Sequence, residues 1–200
     1  SLEELENTNS ILVSHNYILN DGKGREFPVN KCDKNFRAAG NAYVNLYKKG
    51  YLATSAIVAR RDRLLAAGGF DESLPTAQDF ALWLSVLSEP DARFHVFADT
   101  LILYHITEGS ISSHTERRLH CCLRIAKQFR PTLKGKTTVP LFAFWYRILS
   151  VHYEALRTYL DQKRVFATFG IAGTDGTAGT AAATFGVTFG TTAVTFGTTA

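Results

Sequence analysis

The apolar positions of this 200-residue chain change period several times, and each change marks a different element. Ile11 to Leu19 (ILVSHNYIL) is rich in β-branched and aromatic residues and runs into Asn20-Asp21-Gly22, which predicts a strand ending in a turn. Leu52 to Ala59 (LATSAIVA) predicts a second strand, followed by the charged run RRDRLL and a break at Gly68-Gly69. Phe80, Trp83, Leu84 and Leu87 then recur at i, i+3, i+4 and i+7, one apolar face of a helix that Pro90 stops. Two short strands are expected over Arg93 to Phe97 and Leu101 to Ile106, and Ser113 and Glu116 have the capping-box spacing that opens a helix towards Phe129. A last helix, Pro140 to Leu160, sets Leu141, Trp145, Ile148, Leu149, His152, Leu156 and Tyr159 on one side. Strands interleaved with helices predict the α/β or α+β class.

Regular patterning stops after Val165. From Phe166 to Ala200 the chain holds only Thr, Ala, Gly, Phe, Val, one Ile and Asp175, with TFG recurring at Thr168, Thr184, Thr188 and Thr195. Those intervals of 16, 4 and 7 residues exclude a solenoid, whose stacked units need one fixed period. The Thr/Phe/Val segments are β-prone, while the glycines oppose a stable helix.

Length and composition narrow the class further. A hydrophobic share of 46% with 12% aromatics excludes disorder throughout and suits one domain with a sizeable core. The longest apolar run, Val139 to Tyr146, falls far short of the ~20 residues of a spanning helix, and the opening SLEELENTNS is acidic and polar, so neither a transmembrane helix nor a signal peptide is expected here. Cys32 stands alone and Cys121-Cys122 are adjacent, which is no disulfide framework and points to a reducing, cytoplasmic setting with the vicinal pair as small apolar filler.

Charge is segregated. Residues 1–114 carry 11 basic and 14 acidic side chains, and residues 115–165 carry 11 and 3, so the net moves from −3 to +8. No nucleic-acid motif accompanies the basic cluster, and nucleic acid is not expected as a partner. Instead Phe142, Phe144, Trp145, Tyr146, Tyr153 and Tyr159 flank an apolar helical face, with Arg147, Arg157, Lys163 and Arg164 as cations. That combination suits an interfacial helix over 140–164 at an anionic inner membrane surface; the other reading is an ordinary terminal helix packed on the domain.

The stretch richest in candidate chemistry is Ala67 to Leu84, AGGFDESLPTAQDFALWL, followed by LILYHITEGSISS from Leu101 to Ser113. Gly68-Gly69 permits positive φ and close approach of a ligand to bare backbone, Phe70 offers an aromatic plate, and Asp79 lies in a first helical turn with Trp83 one turn on. A capping role competes: Thr76 as N-cap with Asp79 three residues later needs no catalysis.

In the order of these elements the chain resembles glycosyltransferase family 2, the inverting enzymes of the GT-A fold. GGFDE, a short loop, an acidic pair leading into LWL, a preceding strand ending in Arg-Arg and a following tyrosine-bearing strand with GSISS resemble that family's C-terminal, acceptor-side half, over about Leu5 to Phe129. The resemblance implies a partial GT-A domain in 1–130, followed by a basic amphipathic helical extension in 131–165 and the low-complexity tail 166–200. It also implies transfer of a sugar, with inversion, from a nucleotide-sugar donor to an acceptor hydroxyl in polysaccharide or glycoconjugate synthesis. A sugar or lipid-linked acceptor and a divalent cation, Mg or Mn, belong to the same implication.

Carried over by position, Gln78-Asp79 is the family's acidic pair, Asp79 the catalytic base, and Gly69, Phe70 and Trp83 the acceptor-side wall. Trp83 also lies on the apolar stripe, where it would be a core residue. His105 stands where an arginine is common and is the implied phosphate contact, while Thr107 replaces a frequent histidine. The processive QxxRW signature is missing, which favours single transfers, and no Asp-x-Asp occurs, so no metal ligand is assigned. The chain opens at Ser1 and contains no Met, as a fragment would. By itself it is expected to be inactive, and a non-catalytic binding or scaffolding remnant of the same fold is the second reading.

Overall fold

A computed structural model describes the backbone of residues 1–105, 115–171, 186–189 and 192–195, and side chains through residue 160. The chain divides into two compact units, Ser1–Leu160 and Asp161–Ala200. The first is a mixed α/β unit. Helix α1 (Leu2–Asn7) leads into β1 (Leu12–Asn20) and β2 (Glu26–Val29); a π-helical turn, Cys32–Phe36, precedes α2 (Ala42–Lys49). A 3₁₀ turn, Thr54–Ala56, opens β3 (Ile57–Ala59), followed by α3 (Arg61–Ala66), α4 (Gln78–Val86), β4 (Phe94–His105), α5 (Thr115–Gln128) and α6 (Pro140–Ile171).

Strand β1 is the centre of a four-stranded mixed sheet. β4 runs parallel along its whole length, β2 pairs antiparallel with Tyr17 to Asn20, and β3 antiparallel with Leu12 to Ser14. Every residue from Leu12 to Asn16 is buried, because neighbours cover both faces there. Alternation along the strand divides the apolar set: Leu12 enters the main core and Val13 a smaller cluster with Leu5 and Phe97. The main core joins Leu12 and Val96 of the sheet to Leu46 and Tyr47 of α2, Leu84 of α4 and Ile125 of α5.

The two short strands expected over 93–106 are a single strand interrupted by a bulge. His15 faces Phe97, Asn16 faces Thr100 and Tyr17 faces Ile102, so Ala98, Asp99 and Leu101 are extra residues on β4. The small and polar run Ala98-Asp99-Thr100 therefore reads as a turn, although Asn16 staples it into the sheet by donating to the Ala98 carbonyl (2.9 Å). Of the strand expected over Leu52 to Ala59, only Ile57 to Ala59 pairs; Thr54–Ala56 is a 3₁₀ turn.

Helix α4 begins and ends close to its expected limits, but it is apolar on nearly all sides, with Phe80, Ala81, Leu82, Trp83, Leu84 and Val86 all buried. A helix hydrophobic all round belongs in the middle of a unit, and α4 occupies that place. Cys32, Cys121 and Cys122 are all free thiols inside the core, and burial raises the Cys122 thiol's pKa above its ordinary value. Helix α5 starts at Thr115 with Glu116 in its first turn, while Ser113, the expected cap, lies outside the described residues.

Helix α6 is turned differently from the alternative in which its apolar stripe packs on the domain. Leu141, Trp145, Leu149, Leu156 and Tyr159 face solvent, with Leu149 66% exposed. The helix seats itself through Ala143, Arg147, Val151 and Ala155, a row at spacing four, while Ile148 at the edge of the stripe packs on the core. Arg147 is 4% exposed; its guanidinium lies 4.5 Å from the centroid of the Phe80 ring and donates to the Lys48 carbonyl (3.5 Å). Lys48 is in the last turn of α2, the negative end of that helix, where carbonyl dipoles accommodate a buried cation.

In the second unit, β5 (Gly186–Phe189) and β6 (Thr192–Thr195) pair antiparallel, in keeping with the β-prone composition there. The helical backbone of α6 runs to Ile171, past the compositional break at Val165 where glycine was expected to oppose it.

Candidate functional site

The residues singled out in the sequence lie on three segments of the first unit: the loop after α3, the start of α4 and the end of β4. Helix α3 stops in a Schellman arrangement, in which Gly69 N–H donates to the Leu64 carbonyl (2.9 Å) and Gly68 N–H to that of Leu65 (3.0 Å). The two glycines take φ of +89° and +71°, and a Cβ on either would meet nothing within 4 Å. Gly68 is thus required by the helix stop itself, and both present bare backbone to open space.

Phe70 follows, 50% exposed, with its ring edge-on to Trp83 at 6.4 Å. Trp83 is 3% exposed, and its indole Nε1 has no hydrogen-bond partner among the described residues. Of its two expected places Trp83 takes the one in the core, where it backs the half-exposed ring of Phe70. The loop is tied down beyond it. Asp71 accepts from the N–H and hydroxyl of Ser73 (2.9 and 2.6 Å) and pairs with Arg124 of α5 (3.4 Å). The Ser73 hydrogen bonds, ahead of the arginine, hold the Asp71 carboxyl below the ordinary carboxylate range.

Asp79 is half-buried in the first turn of α4. Its Oδ1 accepts from the Phe80 N–H (2.7 Å) and its Oδ2 from the hydroxyl of Thr54 (2.7 Å). The capping arrangement with Thr76 does not form: Thr76 is buried, and the cap position is Ala77 without a side-chain cap bond. Thr54 carried no sequence signal, since it lies 25 residues from Asp79 in an expected strand. The residue beside it, Ser55, lines an open cleft of about 380 Å³ with Ile102, Leu103, Tyr104 and His105. The short 3₁₀ turn thus links the Asp79 carboxylate to the cleft that holds His105. Gln78 is half-exposed beside Asp79, whereas Thr107 and the GSISS segment lie outside the described residues.

Ala77 holds φ 61° and ψ 24°, a left-handed conformation costing an L-residue about 1–2 kcal/mol. Strain of this kind directly before Gln78-Asp79 fixes the angle at which the carboxylate leaves the helix start. Ala77→Gly is expected to raise the unfolding free energy by about 0.5–1 kcal/mol, the relief exceeding glycine's greater freedom in the unfolded chain. Urea titration reads the change, and a loss of stability would show that the methyl's packing outweighs the strain.

Among the described residues no three His, Cys, Asp or Glu side chains gather as metal ligands would. Asp79, His105 and the Phe70 ring offer acid–base and stacking chemistry here. Comparison with protein-family models, with curated proteins and with solved structures finds no match to this chain.

Proposed function

We propose that this chain is the acceptor-side half of an inverting glycosyltransferase on a partial GT-A fold, acting in a polypeptide that also carries a donor-side Asp-x-Asp half. The observation that carries the reading is the Asp79 carboxylate: half-exposed, at a helix start, and oriented by donors on both oxygens. Two such bonds fix the plane of the carboxylate and so the direction of its remaining lone pairs, and a general base must first be held in position. An acceptor hydroxyl becomes acidic as its oxygen attacks the anomeric carbon, and Asp79 is available to take that proton while the nucleoside diphosphate leaves. Phe70 supplies the flat apolar surface on which a pyranose C–H face rests, beside the bare backbone of Gly69. His105, exposed in the cleft, is available to a phosphate oxygen.

The missing Asp-x-Asp favours one variation on this reading, in which the chain alone binds acceptor sugars without transferring anything. Saturation-transfer NMR on the full chain with a panel of methyl pyranosides tests the acceptor role directly. Millimolar binding is expected, weakened about three- to tenfold by Phe70→Ala because one ring contact contributes about 0.5–1.5 kcal/mol. Equal transfer to wild type and Phe70→Ala, or none to any pyranoside, would remove the acceptor reading.

A further inference from the structure

The outward face of α6 is an extended apolar surface open to solvent. Leu141, Phe142, Trp145, Leu149, Tyr153 and Leu156 are all exposed. At 100° per residue these positions fall within an arc of about 120°, and at 1.5 Å per residue the stretch from 141 to 160 is about 30 Å long. No charged residue of 140–160 falls in that arc. Contiguous exposed apolar area of this extent is a binding surface in folded proteins.

Both long borders of the face end in an aromatic ring carrying a cation. On one side Lys48 of α2 lies 5.6 Å from the centroid of Tyr146; on the other Arg130 lies 5.1 Å from that of Phe144. The lysine border is extended by Lys49, which donates to the Lys34 carbonyl (3.3 Å). These cations come from α2 and from the turn after α5 and converge only in the folded unit. No helix in the described residues is long and apolar enough to cross a membrane.

We infer that the outward face of α6 lies in the interface of an anionic membrane, with its apolar arc among the upper acyl chains and Lys48 and Arg130 at the level of the lipid headgroups. Charge complementarity selects this occupant. A second copy of the chain would bring the same cations to the shared rim, whereas anionic headgroups neutralise them. Tyr146, Tyr153 and Tyr159 at the edges suit the boundary, where one end of the ring is apolar and the other wet. The inference stands apart from the glycosyltransferase reading, and its test measures no sugar transfer.

Flotation of the full chain with vesicles of phosphatidylcholine alone, or with 30 mol% phosphatidylglycerol (about one anionic lipid in three), decides it. Binding is expected only with the anionic lipid and should weaken as salt rises and screens the cations. Leu149→Glu, which places a charge on the exposed midline and leaves the packed row untouched, should lower partitioning at least about 10-fold. Lys48→Gln, which leaves the apolar face intact, should weaken binding to anionic vesicles several-fold, on the order of one charge at the surface. Circular dichroism on each variant confirms that the fold persists. Equal binding to neutral vesicles overturns the inference, as does binding that survives Leu149→Glu and so comes from another part of the chain. Concentration-dependent dimerisation that Leu149→Glu abolishes, without vesicle binding, would assign the face to a second copy instead.

Discussion

Replacing Asp79 by asparagine, in a chain joined to a donor-side half with Asp-x-Asp, is expected to lower turnover by about 10²–10⁴-fold, the usual effect of losing a general base. The substitution is nearly isosteric. The amide oxygen of the introduced side chain can still accept from Thr54 or from the Phe80 N–H, so the start of α4 should keep its shape while losing its proton acceptor. Donor affinity is expected to change little, because the role proposed for Asp79 is toward the acceptor hydroxyl. The informative comparison is with Thr54→Val, which removes one orienting bond and leaves the carboxylate in place. That variant should lose about 10-fold or less, with the loss in turnover and only a small change in acceptor affinity. Steady-state rates for both variants, with unfolding midpoints beside them, separate the roles. A turnover within a few-fold of the parent for Asp79→Asn, or a stability loss that accounts for the drop, would make Asp79 a structural residue of the helix start.

Asp79 was singled out by the resemblance of Gln78-Asp79 to a family pair; its place at a helix start is a local pattern that fits a capping residue equally well. Its environment was not legible in the sequence. Thr54 sits in a stretch whose composition, LATSAIVA, reads as strand, and only the folded chain reveals that its first half turns to meet α4. The same division between local and distant information runs through the other elements. β1 is specified by its β-branched and aromatic residues and α4 by apolar residues at helical spacing, and both appear where those signals place them. The single strand β4 hides behind Ala98-Asp99, because the group that keeps those residues in the sheet is Asn16, 82 positions away. The apolar stripe of α6 is equally plain in the sequence, but periodicity states only that two faces differ and not which one meets the core. The core here is already filled by Tyr47, Phe80 and Ile125, and the row Ala143, Arg147, Val151, Ala155 fits against it with little bulk. A small-residue row at spacing four was the signal for that packing, and Arg147 within it disguised the row as a polar face.

Asn16→Ala is expected to destabilise the first unit by about 3 kcal/mol, a large effect for one polar side chain. The side chain is buried and uses both ends of its amide: Oδ1 accepts from the N–H groups of Lys31 (2.7 Å) and Cys32 (2.9 Å), and Nδ2 donates to the Ala98 carbonyl. One residue thereby ties the central strand to the π-helical turn on one side and to the bulge of β4 on the other. Truncation leaves the Cys32 N–H inside the core with no partner, and a buried donor without one costs about 1–3 kcal/mol. The other freed groups lie nearer to water and add less. Asn16→Asp separates the two sides of the amide. It keeps the acceptor for both N–H groups but sets a carboxylate oxygen against the Ala98 carbonyl, so its cost should fall below that of alanine when the carboxyl is protonated and rise as pH climbs through its titration. Urea unfolding at pH 4 and pH 8 measures both variants against the parent. A loss under about 1 kcal/mol for Asn16→Ala, less than one buried unpaired donor costs, would mean that water enters beside the bulge and replaces the amide.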